Sequence, residues 1–160
     1  MREALFSVLG HDLSGTRALD LFAGSGALGL ESLSRGADQA TFVETDPTIV
    51  RVIRNNVAML GIESRARVVS GAVETIVAPA NDLGRFDLVM ADPPYAAGPA
   101  ATLLSSLNDA GVLAPGARIV YQRDSRTPVS EGPHGPIRWR RTARYGRTSL
   151  DFYDVGPDAG

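Results

Sequence analysis

Residues 86–95, which read FDLVMADPPY, decide the fold of this 160-residue chain. The apolar residues 88–91 lack helical spacing, and such a run is typical of a strand buried on both faces of a parallel sheet that helices cover. The strand must end at Asp92, because each proline fixes its own φ and pushes the residue before it to extended angles. Pro93 and Pro94 then form a stiff rim that offers oxygen acceptors and no amide donors.

Such a rim suits a substrate that donates hydrogen bonds, for example the exocyclic amino group of a nucleobase. The lone pair of that nitrogen is delocalised into the ring, and acceptors that hold both hydrogens would localise it and make the nitrogen nucleophilic. Asp92 and the Pro93 carbonyl are the candidate acceptors, and Tyr95 is the candidate residue for stacking on the base. For the four letters DPPY alone, a proline turn with Tyr95 merely packed is an equally good explanation.

Composition restricts the class of protein. With 44% hydrophobic residues and no repeats, residues 1–160 are expected to form one globular domain. The absence of cysteine excludes disulfides and thiolate zinc sites, and two distant histidines give no reason to expect a metal. No apolar run approaches bilayer length and the start does not resemble a signal peptide, so we expect a soluble, cytoplasmic monomer without a membrane partner.

A glycine loop follows the first predicted strand, residues 18–22. Residues 24–29 read GSGALG and open a helix that runs through Arg35. Glycines let the main chain turn tightly and approach a ligand closely, while the helix start offers free amides. The second predicted strand, residues 39–44, ends at Glu44, which lies 20 residues beyond Gly24. That spacing suits a carboxylate that binds a ribose.

The glycine pattern also matches the GxGxxG of dinucleotide-binding oxidoreductases, which remain an alternative. Against that alternative, Asp20 lies in the strand just before the glycines, where it would repel a pyrophosphate and attract an ammonium group. S-adenosylmethionine has such an ammonium, a ribose for Glu44 and a sulfonium that carries a transferable methyl group. The predicted cofactor-binding residues are Asp20, Phe22, Gly24, Ser25, Gly26, Glu44, Thr45, Gly71, Ala72 and Asp92.

Strands and helices alternate along the chain, which predicts a mainly parallel sheet with helices on both faces and a C-terminal antiparallel hairpin. In such a sheet ligands bind at the carboxyl ends of the strands, where the strand order reverses. The first strand and the fourth, predicted over residues 86–91, would flank that crevice, so Gly24 and Asp92 are expected to face each other. The remaining predicted elements are a helix up to residue 9, a helix over 47–60, a strand over 65–70, helices over 73–80 and 98–107, a strand over 118–122, and hairpin strands over 137–144 and 149–155.

Several motifs together resemble one known family. Residues 2–6 (REALF), residues 19–26 (LDLFAGSG), Glu44, residues 92–95 and Tyr145-Gly146 followed by Phe152-Tyr153 are similar to those of the bacterial rRNA guanine-N2 methyltransferases of the RsmD type. The resemblance covers residues 1–155 and implies a Rossmann-like class I S-adenosylmethionine-dependent methyltransferase fold with a seven-stranded sheet. It also implies an N-terminal hairpin ahead of residues 2–6, which this sequence lacks.

The resemblance further implies a substrate and a reaction. They are methylation of the N2 amino group of one guanine in 16S rRNA, guanine 966, on an assembling 30S subunit. Amino methylation of DNA adenine at N6 or cytosine at N4 uses the same kind of rim and remains open, as does a non-catalytic RNA-binding protein. One departure concerns the adenine: family members often carry an acid after the third strand, whereas residues 70–73 read SGAV. Main-chain oxygens near Gly71 and Ala72, or Glu74, are the alternatives.

The positive charge of the chain is concentrated late. Its net charge is −2, yet residues 118–147 contain 8 arginines and 2 acids. In an uninterrupted strand, every second residue from Arg138 to Arg144 would share one face. Guanidinium groups with Trp139 and Tyr145 among them suit phosphates and bases, whereas charge that protects an edge strand is the alternative. The predicted RNA-binding residues are Arg138, Arg140, Arg141, Arg144 and Arg147.

Overall fold

A computed structural model of the chain describes residues 2–94 and 97–157. All seven strands join one sheet, in the order β3-β2-β1-β4-β5-β7-β6, and β1 to β5 are parallel while β7 is antiparallel to both of its neighbours. The strands are β1 (Arg17–Leu21), β2 (Gln39–Glu44), β3 (Ala66–Ser70), β4 (Phe86–Ala91), β5 (Leu113–Asp124), β6 (Ile137–Tyr145) and β7 (Thr148–Val155).

Helices cover both faces of this sheet, as the alternation of elements predicted. One apolar core lies between the sheet and the first three helices, and the other lies between the sheet and the last two. β4 supplies Val89 to one core and Met90 to the other, both fully buried, which confirms that this strand is covered on both faces. The helices are α1 (Arg2–Leu9), α2 (Ala27–Ser34), α3 (Pro47–Leu60), α4 (Val73–Ile76) and α5 (Ala100–Asp109).

The ends of α3 follow from its sequence. The Asp46 side chain accepts a hydrogen bond from the backbone N–H of Thr48 at 2.9 Å, and Pro47 occupies the first helical turn. Gly61 ends the helix with a φ of 67°, a left-handed conformation that glycine adopts without strain. The observed bounds confirm the predicted range 47–60, and the signals that set them lie within a few residues of each end.

Two predicted elements differ in length from the structure. The helix expected over 73–80 is a single turn that ends at Ile76. The chain leaves the helical path there and still buries Val77 and Leu83 in the core. The strand expected over 118–122 is twelve residues long, from Leu113 to Asp124. Its pairing with both β4 and β7 extends it beyond the apolar run that a sequence window detects.

The predicted faces of β6 are wrong. Trp139 pairs with Tyr153 and Arg141 pairs with Phe152, so Arg140 is an extra residue and the strand contains a β-bulge. The bulge reverses the alternation beyond it. As a result Thr142 lies on the same face as Trp139, whose indole N–H donates to the Thr142 hydroxyl at 3.2 Å.

Among the described residues, no helix is both long enough and apolar enough to cross a membrane.

Candidate active site

The strand order places the two sequence motifs at one edge of the sheet. β1 and β4 are parallel neighbours, and Leu21 at the end of β1 is paired with Ala91 at the end of β4. The chain therefore leaves both strands at the same edge, and Gly24 and Asp92 line one open cleft of about 780 Å³. This confirms the expectation that the two motifs face each other.

The loop after β1 takes a strained path beside this cleft. Phe22 has a φ of 57°, a left-handed conformation that is costly for a residue with a bulky side chain. The next residue is fixed to β2, because the backbone N–H of Ala23 donates to the Val43 carbonyl at 3.0 Å. Gly24 and Gly26 also have positive φ, which their lack of a side chain permits. The glycines thus serve the tight turn that the sequence predicted.

Glu44 holds this loop in place. One carboxylate oxygen accepts the Gly24 N–H at 2.9 Å and the other accepts the Asp46 N–H, also at 2.9 Å. The residue is buried, with 9% exposure, yet its carboxylate belongs to the cleft wall. Each carboxylate oxygen has two lone pairs, so both can accept a further hydrogen bond from a ligand hydroxyl. Glu44 therefore combines a structural contact with free acceptor capacity.

Asp20 lies beneath the loop and does not line the cleft. Its side chain is buried and accepts the Gly29 N–H, at the start of α2, at 2.9 Å. Burial, with Asp92 and Glu44 nearby as further negative charges, raises the pKa of Asp20 to about 8, although the hydrogen bond from Gly29 opposes that shift. The negative charges of Glu44 and Asp92 make this edge of the sheet favourable for a cation, and a cation bound there would in turn favour ionisation of Asp20.

Ser25 and Gly26 also lie away from the cleft lining. Ser25 contributes to a different groove, together with Arg2 and Asn56, and Gly26 caps the start of α2. Seven of the predicted cofactor-binding residues do line the cleft, namely Phe22, Gly24, Glu44, Thr45, Gly71, Ala72 and Asp92. The lining is completed by the rim residues Pro93 and Pro94, by Glu74, which was an alternative for contacting the adenine, and by four residues that the sequence did not assign to the site: Val43, Asp46, Ile49 and Val73.

The wall of the cleft opposite Asp92 comes from the segment after β3. The Gly71 N–H donates to the Glu44 main-chain carbonyl at 3.0 Å, which aligns this segment with the end of β2. Gly71 has a φ of 157°, and a side chain there would contact Ile76. Gly71, Ala72 and Glu74 are all part of the lining, so each alternative for contacting an adenine is at the cleft.

The proline rim separates this cleft from a second pocket. Pro93 and Pro94 line both, and the second pocket, of about 140 Å³, is completed by the end of β5 and the residues after it. Asp92 is exposed at the rim, but partial burial of its carboxyl group raises its pKa above the ordinary value. Tyr95, the predicted stacking residue, lies outside the described residues.

A buried ion pair that the sequence did not reveal supports the second pocket. Arg123, at the end of β5, donates to both carboxylate oxygens of Asp151 at 2.6 and 3.1 Å, and Asp151 is fully buried. Thr142 donates to the same carboxylate at 2.6 Å, so the pair joins β5, β6 and β7. Arg123 also donates to the main-chain carbonyl of Thr127. Since breaking a buried pair costs about 3–5 kcal/mol, this contact fixes the loop beside the pocket.

The predicted RNA-binding arginines are exposed, but they lie at different positions along the strands and not all at one edge of the sheet. The hairpin turn between β6 and β7, with Arg144 and Arg147, is at the edge where β5 ends, because Asp124 pairs with Thr148 and Thr148 pairs with Tyr145. Arg138 lies near the opposite edge, level with Asp154 and Arg118. Arg140 forms an ion pair with Asp154 at 2.7 Å, and Arg141 lies over the Phe152 ring.

Within residues 2–94 and 97–157, no three His, Cys, Asp or Glu side chains are grouped so that they could hold a metal ion.

This combination of fold and cleft defines a class I S-adenosylmethionine-dependent methyltransferase, with the Rossmann-like fold that the sequence implied. The chain belongs to the family described as Conserved hypothetical protein 95, whose profile matches residues 1–154. The resemblance to the RsmD type is thereby confirmed.

Individual relatives agree with this assignment. The chain is 34% identical over 139 residues to Ribosomal RNA small subunit methyltransferase D of Escherichia coli strain K12, covering 87% of this chain and 67% of that protein. A conserved hypothetical protein of Streptococcus pyogenes superposes with a TM-score of 0.88 at 30% identity, over 97% of this chain and 95% of that one. An RNA methyltransferase of Salinibacter ruber in complex with S-adenosyl-L-homocysteine has a TM-score of 0.68 at 14% identity, covering 99% and 92% of the two chains. That last likeness concerns the fold alone.

Proposed function

We propose that this protein uses S-adenosylmethionine to methylate the exocyclic N2 amino group of a guanine in 16S rRNA, in the cytoplasm and on the assembling small subunit. The observation that carries the proposal is the cleft in which Gly24 and Asp92 meet. The rRNA methyltransferase name of the Escherichia coli relative supports the choice of RNA. An acceptor-rich rim beside the cleft supports an amino group as the target.

The cleft fits the cofactor. Its carboxylate-rich edge suits a molecule that carries an ammonium and a sulfonium, and the free lone pairs of Glu44 suit the two ribose hydroxyls. Gly71 and Ala72 expose main-chain groups at the cleft, and Ile49 adds apolar surface. When bound, S-adenosylmethionine supplies an electrophilic methyl group on a positively charged sulfur.

The rim residues prepare the amino group to attack. The Asp92 carboxylate and the Pro93 carbonyl accept its two hydrogens, which localises the nitrogen lone pair and directs it towards the cleft. Positioning of this kind replaces a bimolecular encounter with a bound geometry, and no covalent enzyme intermediate is needed. Negative charge at Asp92 also stabilises the cationic character that develops on the nitrogen. Tyr95 is assigned to stacking on the guanine.

Asp92 is also placed to take the proton that the nitrogen must lose. Its raised pKa makes it a better proton acceptor than an ordinary aspartate, and its exposure lets it pass the proton to water.

The arginines of the β6–β7 hairpin are assigned to RNA phosphates. Arg144 and Arg147 lie at the edge of the sheet that carries the cleft, so they are assigned to phosphates near the target base.

The test is a tritiated methyl-transfer assay on undermethylated 30S subunits and on free 16S rRNA, followed by digestion to nucleosides. We expect the label in N2-methylguanosine. Asp92→Asn should lower kcat by about 100-fold or more, since it removes a positioned proton acceptor. The control is Asp109→Asn, an exposed aspartate at the end of α5 that should leave activity unchanged.

Other outcomes would identify a different function. Label in adenosine, or label in the nucleosides of DNA offered in place of RNA, would reject guanine methylation of rRNA. A failure to bind S-adenosylmethionine in calorimetry would leave a non-catalytic RNA-binding protein, and binding of NAD in its place would favour the oxidoreductase.

A further inference from the structure

A second groove lies at the opposite edge of the sheet, where the parallel strands begin. We call it the amino-end groove; it has a volume of about 230 Å³. Four arginines from three segments meet there: one at the start of β1, two on either side of the first residue of β3, and one just before β4. Its lining residues contain no acid, and the polar ones are Arg17, Gln39, Thr41, Ser64, Arg65, Arg67 and Arg85.

Most of this positive charge has no carboxylate partner. Arg17 is next to Asp87, at 3.5 Å, which offsets one charge. The Arg65 guanidinium donates to the main-chain carbonyls of Leu33 and Ala37, at 3.1 and 2.6 Å, so it is held in place and keeps its charge. Arg67 and Arg85 are exposed and, within the described ranges, form no ion pair. An excess of positive charge therefore faces the groove.

The spread of these arginines favours an extended ligand. The groove crosses β3, β2, β1 and β4, which are consecutive neighbours in the sheet. Three gaps of about 4.8 Å between strands make roughly 14 Å, which exceeds the size of one phosphate group. A run of phosphates along a polynucleotide can contact several of the guanidinium groups at once, whereas a single anion cannot.

Part of the groove lies on the sheet face that carries α4 and α5, because Leu83 and Phe86 of its lining belong to the core on that face. Arg67 is paired with Thr41, two residues before Val43 of the same core. The cleft at the other edge includes Val73 and Glu74 of α4, so the groove and the cleft both border this face. The amino-end groove and the cleft lie at opposite ends of β4, whose six residues span roughly 20 Å. A folded RNA segment can span that distance.

We propose that the amino-end groove binds the phosphodiester backbone of the RNA substrate, away from the nucleotide that enters the cleft. This inference rests on the proposed function, because it assigns part of the same substrate to a second surface. Phosphate contacts of this kind fix orientation and carry no sequence information. The groove would therefore strengthen capture of the RNA without touching the reacting base.

The experiment compares RNA binding by the intact protein, by Arg67→Gln/Arg85→Gln and by a control, Arg51→Gln/Arg54→Gln, that removes equal charge from exposed positions of α3. The probe is a fluorescein-labelled 16S rRNA fragment, measured by anisotropy over a salt series. Each phosphate contact adds roughly 0.7 to the salt slope for single-stranded RNA, so the groove variant should lose about 1.4 in slope and bind roughly 25-fold more weakly at about 0.1 M salt. Ser64→Glu, which adds an acid to the groove, should weaken binding in the same direction.

Binding of S-adenosylmethionine is measured in parallel by calorimetry and should be equal in all four proteins. Groove variants that bind RNA as tightly as the α3 control would overturn the groove proposal alone. An intact protein that binds neither the cofactor nor RNA would instead refute the proposed function. Inorganic pyrophosphate is titrated separately: if it binds the intact protein but not the groove variant, while RNA affinity is the same in both, the groove takes a small phosphorylated ligand and the RNA assignment is wrong.

Discussion

Replacing Asp20 with asparagine should make the stability of the protein less dependent on pH. The residue is 2% exposed and its carboxylate accepts one backbone hydrogen bond, and burial raises its pKa from the ordinary 3.8 to about 8 in the folded chain. The folded state therefore holds a proton that the unfolded chain releases above about pH 4. The stabilising effect of this proton is complete below that pH and is lost progressively as the pH rises towards 8.

The size of the effect follows from one proton. Between about pH 5 and pH 7, the wild-type chain should lose on the order of 3 kcal/mol of unfolding free energy through Asp20, because its folded state holds one more proton than the unfolded state. Asparagine retains a carbonyl oxygen for the Gly29 N–H but cannot ionise, so this loss is absent from the variant. Other titrating groups affect both proteins and largely cancel in the difference.

The assay is urea denaturation of wild type and Asp20→Asn across this pH range, without cofactor. We expect the difference in unfolding free energy between the two proteins to move in favour of the variant as pH rises. Parallel pH profiles would refute the reasoning, because they would mean that Asp20 is already ionised in the folded chain.

Protonation of Asp20 should also be coupled to binding of the proposed cofactor. A cation near Asp20, Glu44 and Asp92 stabilises the ionised form of Asp20, so binding should release a proton near neutral pH. Calorimetry of S-adenosylmethionine binding in buffers of different ionisation enthalpy would detect that proton.

Two further predictions concern packing and RNA capture. Gly29→Ala should destabilise the protein by about 1–2 kcal/mol, because a new methyl group would overlap the Phe42 ring and this overpacking outweighs the gain in helix propensity. The urea midpoint measures this, and an unchanged midpoint would contradict it. Arg144→Gln/Arg147→Gln should raise KM for rRNA roughly tenfold with little change in kcat, since the lost contacts bind phosphates away from the reacting atoms. Arg138→Gln/Arg140→Gln is the matched control and should have a smaller effect, because Arg140 is already paired with Asp154; equal effects would argue against a role of the hairpin turn.

Local patterns were sufficient for a large part of the fold and of the site. The ranges of β2, α3 and β4 agree with those expected from the sequence, because apolar runs, an aspartate cap and glycine or proline boundaries act within a few residues. Glu44 and Asp92 could be predicted to lie at the cleft, because Glu44 is the last residue of one buried parallel strand and Asp92 directly follows another. The carboxyl ends of such strands meet at one edge, so order along the chain already indicates proximity in space.

Tertiary structure alone decided the features that depend on distant pairing. The bulge at Arg140 exists only because β6 must pair with β7, and it reverses the faces that strict alternation predicts. Asp151 pairs with Arg123, which lies 28 positions earlier in the sequence. A short stretch of sequence around either residue therefore does not contain its partner. The arginines of the amino-end groove come from three separate parts of the chain and form one positive surface only after the strands are ordered, since charge density is a property of three-dimensional distance.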